Sequence, residues 1–209
     1  MGKITYYIKS NKKILYLNIV EKYRCTNNCV FCDKEKLQRT TENTLYLDKK
    51  PEINEILSQV EQELIKHNPK MVVFCGLGEP TIHLDYILKI IKFIKKISKA
   101  EIRLNTNGQA QFYNPKKNVA QELKKAGLDV ISISLNAFSK QEYNKLHNPK
   151  NPEKAFDSVL DFIKTCLKEK IEPYVSFILF PDLNKQKALE FSKKLGLDEE
   201  HVRFRAYIH

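Results

Sequence analysis

No apolar run in this 209-residue chain approaches the ~20 residues that a helix needs to cross a bilayer. The opening Met1-Gly2-Lys3-Ile4-Thr5 lacks the basic, apolar and small-residue regions of a signal peptide. Neither a membrane-spanning nor a secreted protein is expected, and the sequence reads as cytoplasmic. Internal repeats, low-complexity tracts and linker-like stretches are missing as well. One domain over residues 1–209 is expected, long enough to bury a good core and short for two. Disorder is excluded by composition: 42% hydrophobic and 29% charged residues are ordinary for a globular chain.

Cysteine is sparse. Five are present, and an odd number in a reducing compartment is not a disulfide framework. A basic stripe interleaved with aromatics is also lacking, although the net charge is +11. That balance favours anionic partners such as phosphates, carboxylates or RNA, and says nothing about fold. The lysines scatter along helix faces, as at Lys92, Lys95, Lys96 and Lys99, where solvated surface is the simplest role.

What is there alternates regularly. Residues 4–8 and 14–20 read as strands around the turn Ser10-Asn11-Lys12-Lys13, an N-terminal hairpin. Further strands are expected over 71–75, 101–105, 130–135, 174–179 and 202–208. Helical patterns fall over 52–66, 84–97, 119–126, 140–146, 152–169 and 185–195. Six strands joined by five crossovers of helical length imply parallel βα units, and right-handed crossovers would curl them into an open barrel. The fold class is α/β: a partial (βα)6 barrel with a short N-terminal β-hairpin extension.

Three cysteines crowd into eight residues: Cys25-Thr26-Asn27-Asn28-Cys29-Val30-Phe31-Cys32, a C-x3-C-x2-C spacing just after a predicted strand. Thiolates this close can wrap one metal centre, and the short loop removes most of the chain entropy from binding. Structural zinc usually takes four protein ligands, often as two pairs, and no second pair exists. Three ligands on a four-iron cluster leave one iron open, whereas most clusters that only carry electrons have four cysteines. A zinc site with a histidine as fourth ligand, or unrelated thiols, stay as alternatives. Phe31 is placed to shield a cluster from water. Cys75 and Cys166 are isolated. Cys166 shares an apolar helical stripe with Val159, Ile163 and Leu167 and is expected in the core. Cys75, beside the Gly76 turn, is expected to pack as a thiol, with reaching the cavity as the alternative.

This loop resembles the cluster loop of the radical S-adenosylmethionine (SAM) superfamily. Cys75-Gly76-Leu77-Gly78-Glu79-Pro80 resembles the superfamily's GGEP segment, and Ile133-Ser134-Leu135-Asn136 its ribose-contacting segment. The similarity extends to the small family of radical SAM proteins associated with TatD-type hydrolases. It is carried by Leu15-Tyr16-Leu17-Asn18-Ile19, Val73 to Thr81, Arg103-Leu104-Asn105-Thr106-Asn107-Gly108, Ile131 to Ala137 and Arg203-Phe204-Arg205.

The resemblance implies a [4Fe–4S] cluster held by Cys25, Cys29 and Cys32, with SAM on the open iron. It implies contacts to the cluster or SAM at Phe31, Gly76, Gly78, Glu79, Pro80, Asn105, Asn107, Ser134 and Asn136, Phe31 lying against the cluster. It also implies an external one-electron donor and a functional link to a TatD-type hydrolase. A small molecule, a peptide or RNA remains open as substrate. RNA modification and activation of a partner protein are branches of the same chemistry, and a non-enzymatic iron–sulfur protein is the competing class.

Strand parity adds a separate argument. Arg103, Asn105 and Asn107 share one face, opposite Ile102 and Leu104; Ser132, Ser134 and Asn136 oppose Ile131, Ile133 and Leu135; Arg203 and Arg205 oppose Val202 and Phe204. Helices must cover the apolar rows, so the polar rows should line a solvated, ligand-filled groove. Arg103, Arg203 and Arg205 are candidate contacts to an anionic substrate, because arginine forks match carboxylates and phosphates. Pairing with acids or a place at the barrel edge is the alternative for Arg203 and Arg205. His83 is expected to be structural, and the stretch 33–50 to be a substrate lid or partner surface.

Overall fold

The computed structural model describes residues 3–8, 13–32 and 46–207. Most of the expected turn over 10–13, most of the expected lid over 33–50, and the last residue of the expected closing strand lie outside them.

Seven strands form one sheet in the order β1 to β7. They are β1 (Thr5–Ile8), β2 (Ile14–Leu17), β3 (Met71–Phe74), β4 (Glu101–Thr106), β5 (Val130–Ser134), β6 (Glu172–Leu179) and β7 (Val202–Ala206). The β1–β2 pair is antiparallel, the expected hairpin. The β2–β3, β3–β4 and β6–β7 pairs are parallel. No pairing closes β7 onto β1 among the described residues, so the sheet is open. Among the described residues the α-helices are α1 (Ile53–His67), α2 (Leu84–Ile97), α3 (Ala110–Tyr113), α4 (Val119–Ala126), α5 (Lys140–His147), α6 (Ala155–Lys168) and α7 (Lys185–Lys194).

The elements agree with the sequence pattern except at their ends. The strand expected to reach residue 20 stops at Leu17, where the chain turns toward a 3-10 turn at Glu21–Tyr23. The helix expected from residue 152 begins at Ala155. The short α3 carries too few residues for periodicity to show.

The chain divides into two compact units. The first comprises Met1–Cys25, Lys34–Asn105 and Glu122–Val130. Its core is built by α1, which buries Ile56, Val60 and Leu64 at a spacing of four, and by α2, which buries Ile87, Ile90, Ile91 and Ile94. Val72, Val73 and Phe74 of β3 are wholly buried, as befits a parallel strand covered on both faces. Each such side chain contributes roughly 1.5–3 kcal/mol of burial. Lys92, Lys95, Lys96 and Lys99 stand exposed, the solvated face expected of them.

The second unit comprises Thr26–Asp33, Thr106–Gln121 and Ile131–His209. Here α6 buries Phe156, Val159, Phe162, Ile163 and Cys166. Burial pushes the Cys166 thiol up to about 12, so it stays protonated and packs as a small hydrophobe. Phe138 stacks on Phe177 at 5.5 Å and meets Phe191 edge-on at 5.8 Å, extending this core to β6 and α7.

Candidate functional site

In the first unit, the segment leading into Cys25 is tightly bent. Lys22 and Tyr23 take left-handed backbone conformations, φ 50° and 52°, in which a side chain is strained. The Glu21 carboxylate anchors the bend, accepting from Arg24 Nη1 at 2.6 Å and sharing a 2.7 Å contact with His83 Nε2. Burial pushes Glu21 up, but these two hydrogen bonds outweigh it and bring the carboxyl down to about 2. His83 is buried in this pair, the structural role expected of it.

The segment 76–80 packs onto the same bend. The Glu79 N–H donates to the Arg24 carbonyl at 2.8 Å. A Cβ on Gly78, where φ is +114°, would lie 2.6 Å from both the Arg24 carbonyl oxygen and Val20 Cγ1. A Cβ on Gly76 would meet Asn18 Oδ1 at 2.2 Å. The close approach that these glycines permit is thus to the chain's own residues just ahead of Cys25. Glu79 is buried, and its Oε1 accepts from the Thr81 N–H and hydroxyl at 3.1 and 2.7 Å, capping the turn that Pro80 begins. Arg103 Nε donates to Asn105 Oδ1 at 3.0 Å, and both side chains are half-buried.

In the second unit, the loop carrying Cys29 and Cys32 is clamped to the end of α5. The Asn28 N–H donates to the His147 and Asn148 carbonyls at 3.0 and 3.1 Å, and the Val30 N–H to Leu146 at 3.0 Å. Thr26 returns the favour, accepting from the Lys150 N–H at 2.9 Å, beside an isolated bridge from Asn27 to Pro149. Within the loop the Cys32 N–H reaches the Cys29 carbonyl at 3.1 Å. Asn148 closes α5 in the left-handed conformation, φ 40°.

A buried polar network backs this loop. Gln109 Nε2 donates to Asn27 Oδ1 at 2.6 Å and to the Tyr143 hydroxyl at 3.1 Å. Asn107 donates to the Thr26 hydroxyl at 2.6 Å while its Oδ1 accepts from the Gln109 N–H at 3.0 Å. His147 is 1% exposed, with Nδ1 3.4 Å from Cys29 Sγ and Nε2 3.2 Å from the Leu135 carbonyl oxygen. Burial pushes the imidazole down to about 4, against the Leu135 contact, so it is neutral at pH 7. Phe31 meets this ring edge-on at 5.2 Å and Phe180 at 6.0 Å.

Asn136, at φ 53° just past β5, accepts the Ile178 N–H on Oδ1 at 2.8 Å and places Nδ2 3.4 Å from His147 Nε2. It also borders a cavity of about 300 Å³ with Phe138, Glu142, Lys145, Phe180 and Leu183. Ser134 is half-buried. Arg203 of β7 lies with its guanidinium 3.7 Å from the Tyr174 ring centroid, and Arg205 is exposed. Glu172, accepting the Tyr174 hydroxyl, together with burial pushes that phenol up.

Thr26, Asn27, Gln109, Tyr143 and His147 escaped the sequence pattern, because no motif spacing marks them. A signal existed for two of them: Tyr143 and His147 stand four apart on one helical face, ahead of the helix stop Asn148-Pro149.

The donor set fits an iron–sulfur cluster. All five cysteines are thiols, the three of the loop half-exposed, where Cys166 is buried. Among the described residues, Gln109 Oε1 is buried with no hydrogen-bond partner, an unmet acceptor beside the same loop.

Residues 22–195 match the family model described as the radical SAM superfamily. A probable GTP 3′,8-cyclase of Saccharolobus solfataricus is 29% identical over 189 residues, which are 89% of this chain and 55% of that protein. One of Sulfurisphaera tokodaii is 28% identical, over 89% of this chain and 54% of its own length. The chain thus spans a little over half the length of these relatives. Among solved structures, anSMEcpe with bound AdoMet and the Kp18Cys peptide superposes with a TM-score of 0.70 at 19% identity, covering 93% of this chain and 51% of that one. TYW1 with a lysine–pyruvate adduct gives 0.64 at 18%, covering 94% and 65%. At such identities the structures show the fold alone: the open, mostly parallel sheet is a partial barrel of the kind these enzymes use. By its family match over most of its length, the chain belongs to the radical SAM superfamily.

Proposed function

We propose that this chain is the core of a radical SAM enzyme in which Cys25, Cys29 and Cys32 ligate three irons of a [4Fe–4S] cluster. The observation that carries the proposal is the C-x3-C-x2-C loop itself, three thiols with Cys29 and Cys32 on a short segment clamped to the end of α5. When bound, the cluster and SAM supply one-electron cleavage of a carbon–sulfur bond, giving methionine and a 5′-deoxyadenosyl radical that takes hydrogen from substrate.

The chain's residues hold and orient. Glu79, buried at the C-terminal end of β3, is the candidate acceptor for the SAM amine, with Pro80 fixing the turn and Gly76 and Gly78 letting it close. Asn105, Asn107, Ser134 and Asn136 are the candidate contacts to the rest of SAM. Phe31 shields the sulfurs from water. Arg103, Arg203 and Arg205 are candidates for an anionic substrate group.

The single-domain core, the kinship with TatD-associated radical SAM proteins and a link to a TatD-type hydrolase belong to the same proposal. So does a cytoplasmic setting, since half-exposed thiols and a labile cluster suit a reducing compartment. In the described residues no helix is long and apolar enough to cross a membrane. The substrate is a small molecule, a peptide or RNA. A purine nucleoside triphosphate is the first to try, given the relatives' name. Anaerobic reconstitution followed by iron analysis and SAM titration tests the proposal. About four irons and saturable SAM binding are expected, both lost in Cys29→Ala. Zinc in place of iron, or iron without SAM binding, contradicts it.

A further inference from the structure

His147 lies outside every motif of the chain, yet its ring packs behind a cluster cysteine, with Nδ1 3.4 Å from Cys29 Sγ. Its orientation is fixed from all sides. Tyr143 stacks on one face at 4.2 Å, Phe31 closes the edge at 5.2 Å, and the residue's own carbonyl takes the Asn28 N–H at 3.0 Å. On the far side, Nε2 faces both an acceptor, the Leu135 carbonyl at 3.2 Å, and a donor, Asn136 Nδ2 at 3.4 Å. Nδ1 also lies 3.4 Å from Asn27 Nδ2. With Nδ1 bare, it accepts from Asn27 while Nε2–H donates to Leu135; with Nδ1 protonated, Asn136 donates to Nε2 and Asn27 keeps the Tyr143 hydroxyl, 3.2 Å away, as its acceptor.

A thiol can donate to a bare Nδ1, but a metal-bound thiolate is only an acceptor, so facing it favours a proton on Nδ1. Hydrogen bonds to the sulfurs are among the factors that set a cluster's reduction potential, because they stabilise the more negative, reduced state. We propose that His147 is a positioning residue of the cluster: in the loaded protein it donates Nδ1–H to the Cys29 sulfur and raises the cluster's reduction potential. Asn136 then donates to Nε2, so that Cys29, His147 and Asn136 form one line of hydrogen bonds from a cluster ligand to the end of β5. The inference rests on Cys29 being a cluster ligand.

The test is made on the full chain, anaerobically, without SAM. Iron and sulfide are counted first, then the midpoint potential is read by EPR-monitored titration for the wild type, His147→Phe and His147→Asn. Phenylalanine keeps the stack on Tyr143 without a donor, whereas the asparagine amide nitrogen falls near Nδ1. The expected result is four irons in each, a midpoint shifted negative in His147→Phe, and partial return in His147→Asn. A loaded His147→Phe with an unshifted midpoint overturns the inference and leaves the cluster assignment standing, and so do equal shifts in both variants. A second readout needs no variant: pulsed EPR of the reduced wild type labelled with 15N-histidine should show a histidine nitrogen coupled to the cluster. Absence of that coupling overturns the inference even if the phenylalanine variant fails to load. A wild type that takes up no cluster overturns the functional proposal and this inference together.

Discussion

At the scale of single residues, the entry to Cys25 is held by groups whose replacement has a calculable direction. Glu21 has its carboxyl lowered from 4.5 to about 2 by Arg24 and His83 against the opposing pull of burial. A depressed carboxyl contributes stability above the unfolded value and loses it as pH falls through the folded one. Acid unfolding should therefore carry a Glu21-dependent limb between about pH 4.5 and 2, worth about 3 kcal/mol in the wild type. Urea titrations at a series of pH values should find that limb flattened in Glu21→Gln, and an unchanged limb contradicts the assignment. Gly78→Ala should be costlier than an ordinary surface change. Its Cβ has a backbone oxygen 2.6 Å away and a φ of +114° to adopt, so a loss of about 2 kcal/mol or more is expected by thermal melting, together with poorer iron uptake. The requirement for glycine was legible in the sequence, but the neighbours that impose it were not. Asn18, Val20 and Arg24 meet these glycines only because β2 and β3 pair in parallel, and such a contact leaves no local pattern.

Among elements, α5 matters most. Its last turn presents the carbonyls of Leu146, His147 and Asn148 to the cysteine loop, and Asn148 must turn left-handed for the chain to do so. Asn148→Gly should fold and take up iron like the wild type. Asn148→Ile should lose about 1–2 kcal/mol in denaturant melts and bind iron less completely, since a β-branched residue resists that conformation. Equal behaviour of the two variants contradicts the clamp. The helix itself was readable from its periodicity, and α2 was readable to the residue, with Leu84 and Ile97 as its ends. The amphipathic period survives in long helices because one face is always buried. What periodicity did not reveal was that the C-terminus of α5, as well as the face bearing Tyr143 and His147, holds the cysteine loop. The polar rows divide likewise. Ile102 and Leu104 are wholly buried where Arg103 and Asn105 are half-exposed, as parity requires. Arg203, in contrast, rests on Tyr174, a pairing across β6 and β7 that parity alone does not specify.

On the scale of the whole molecule, the alternation of strand and helical segments was enough to fix an open α/β sheet, because parallel strands need long crossovers and the connections here have that length. The three cysteines and the Gly76–Pro80 segment stand out in the sequence itself, since the residues proposed to hold the cluster and SAM there lie close together along the chain. The buried network of Asn27, Gln109, Tyr143 and His147 was not, being assembled from three separate stretches of the chain. Among the described residues, Lys92, Lys95, Lys96 and Lys99 form a solvated face, and a pair such as Lys95–Asp129 is worth little on an exposed surface. Radical cleavage of SAM leaves 5′-deoxyadenosine, a product that can be sought directly. The anaerobically reconstituted protein is reduced, given SAM, and assayed by mass spectrometry for 5′-deoxyadenosine. The expected result is product formation that is absent in Cys29→Ala. A four-iron, reduced protein that binds SAM yet yields no 5′-deoxyadenosine, even with purine nucleoside triphosphates, peptides and RNA supplied, contradicts the account and leaves a cluster-bearing binding protein.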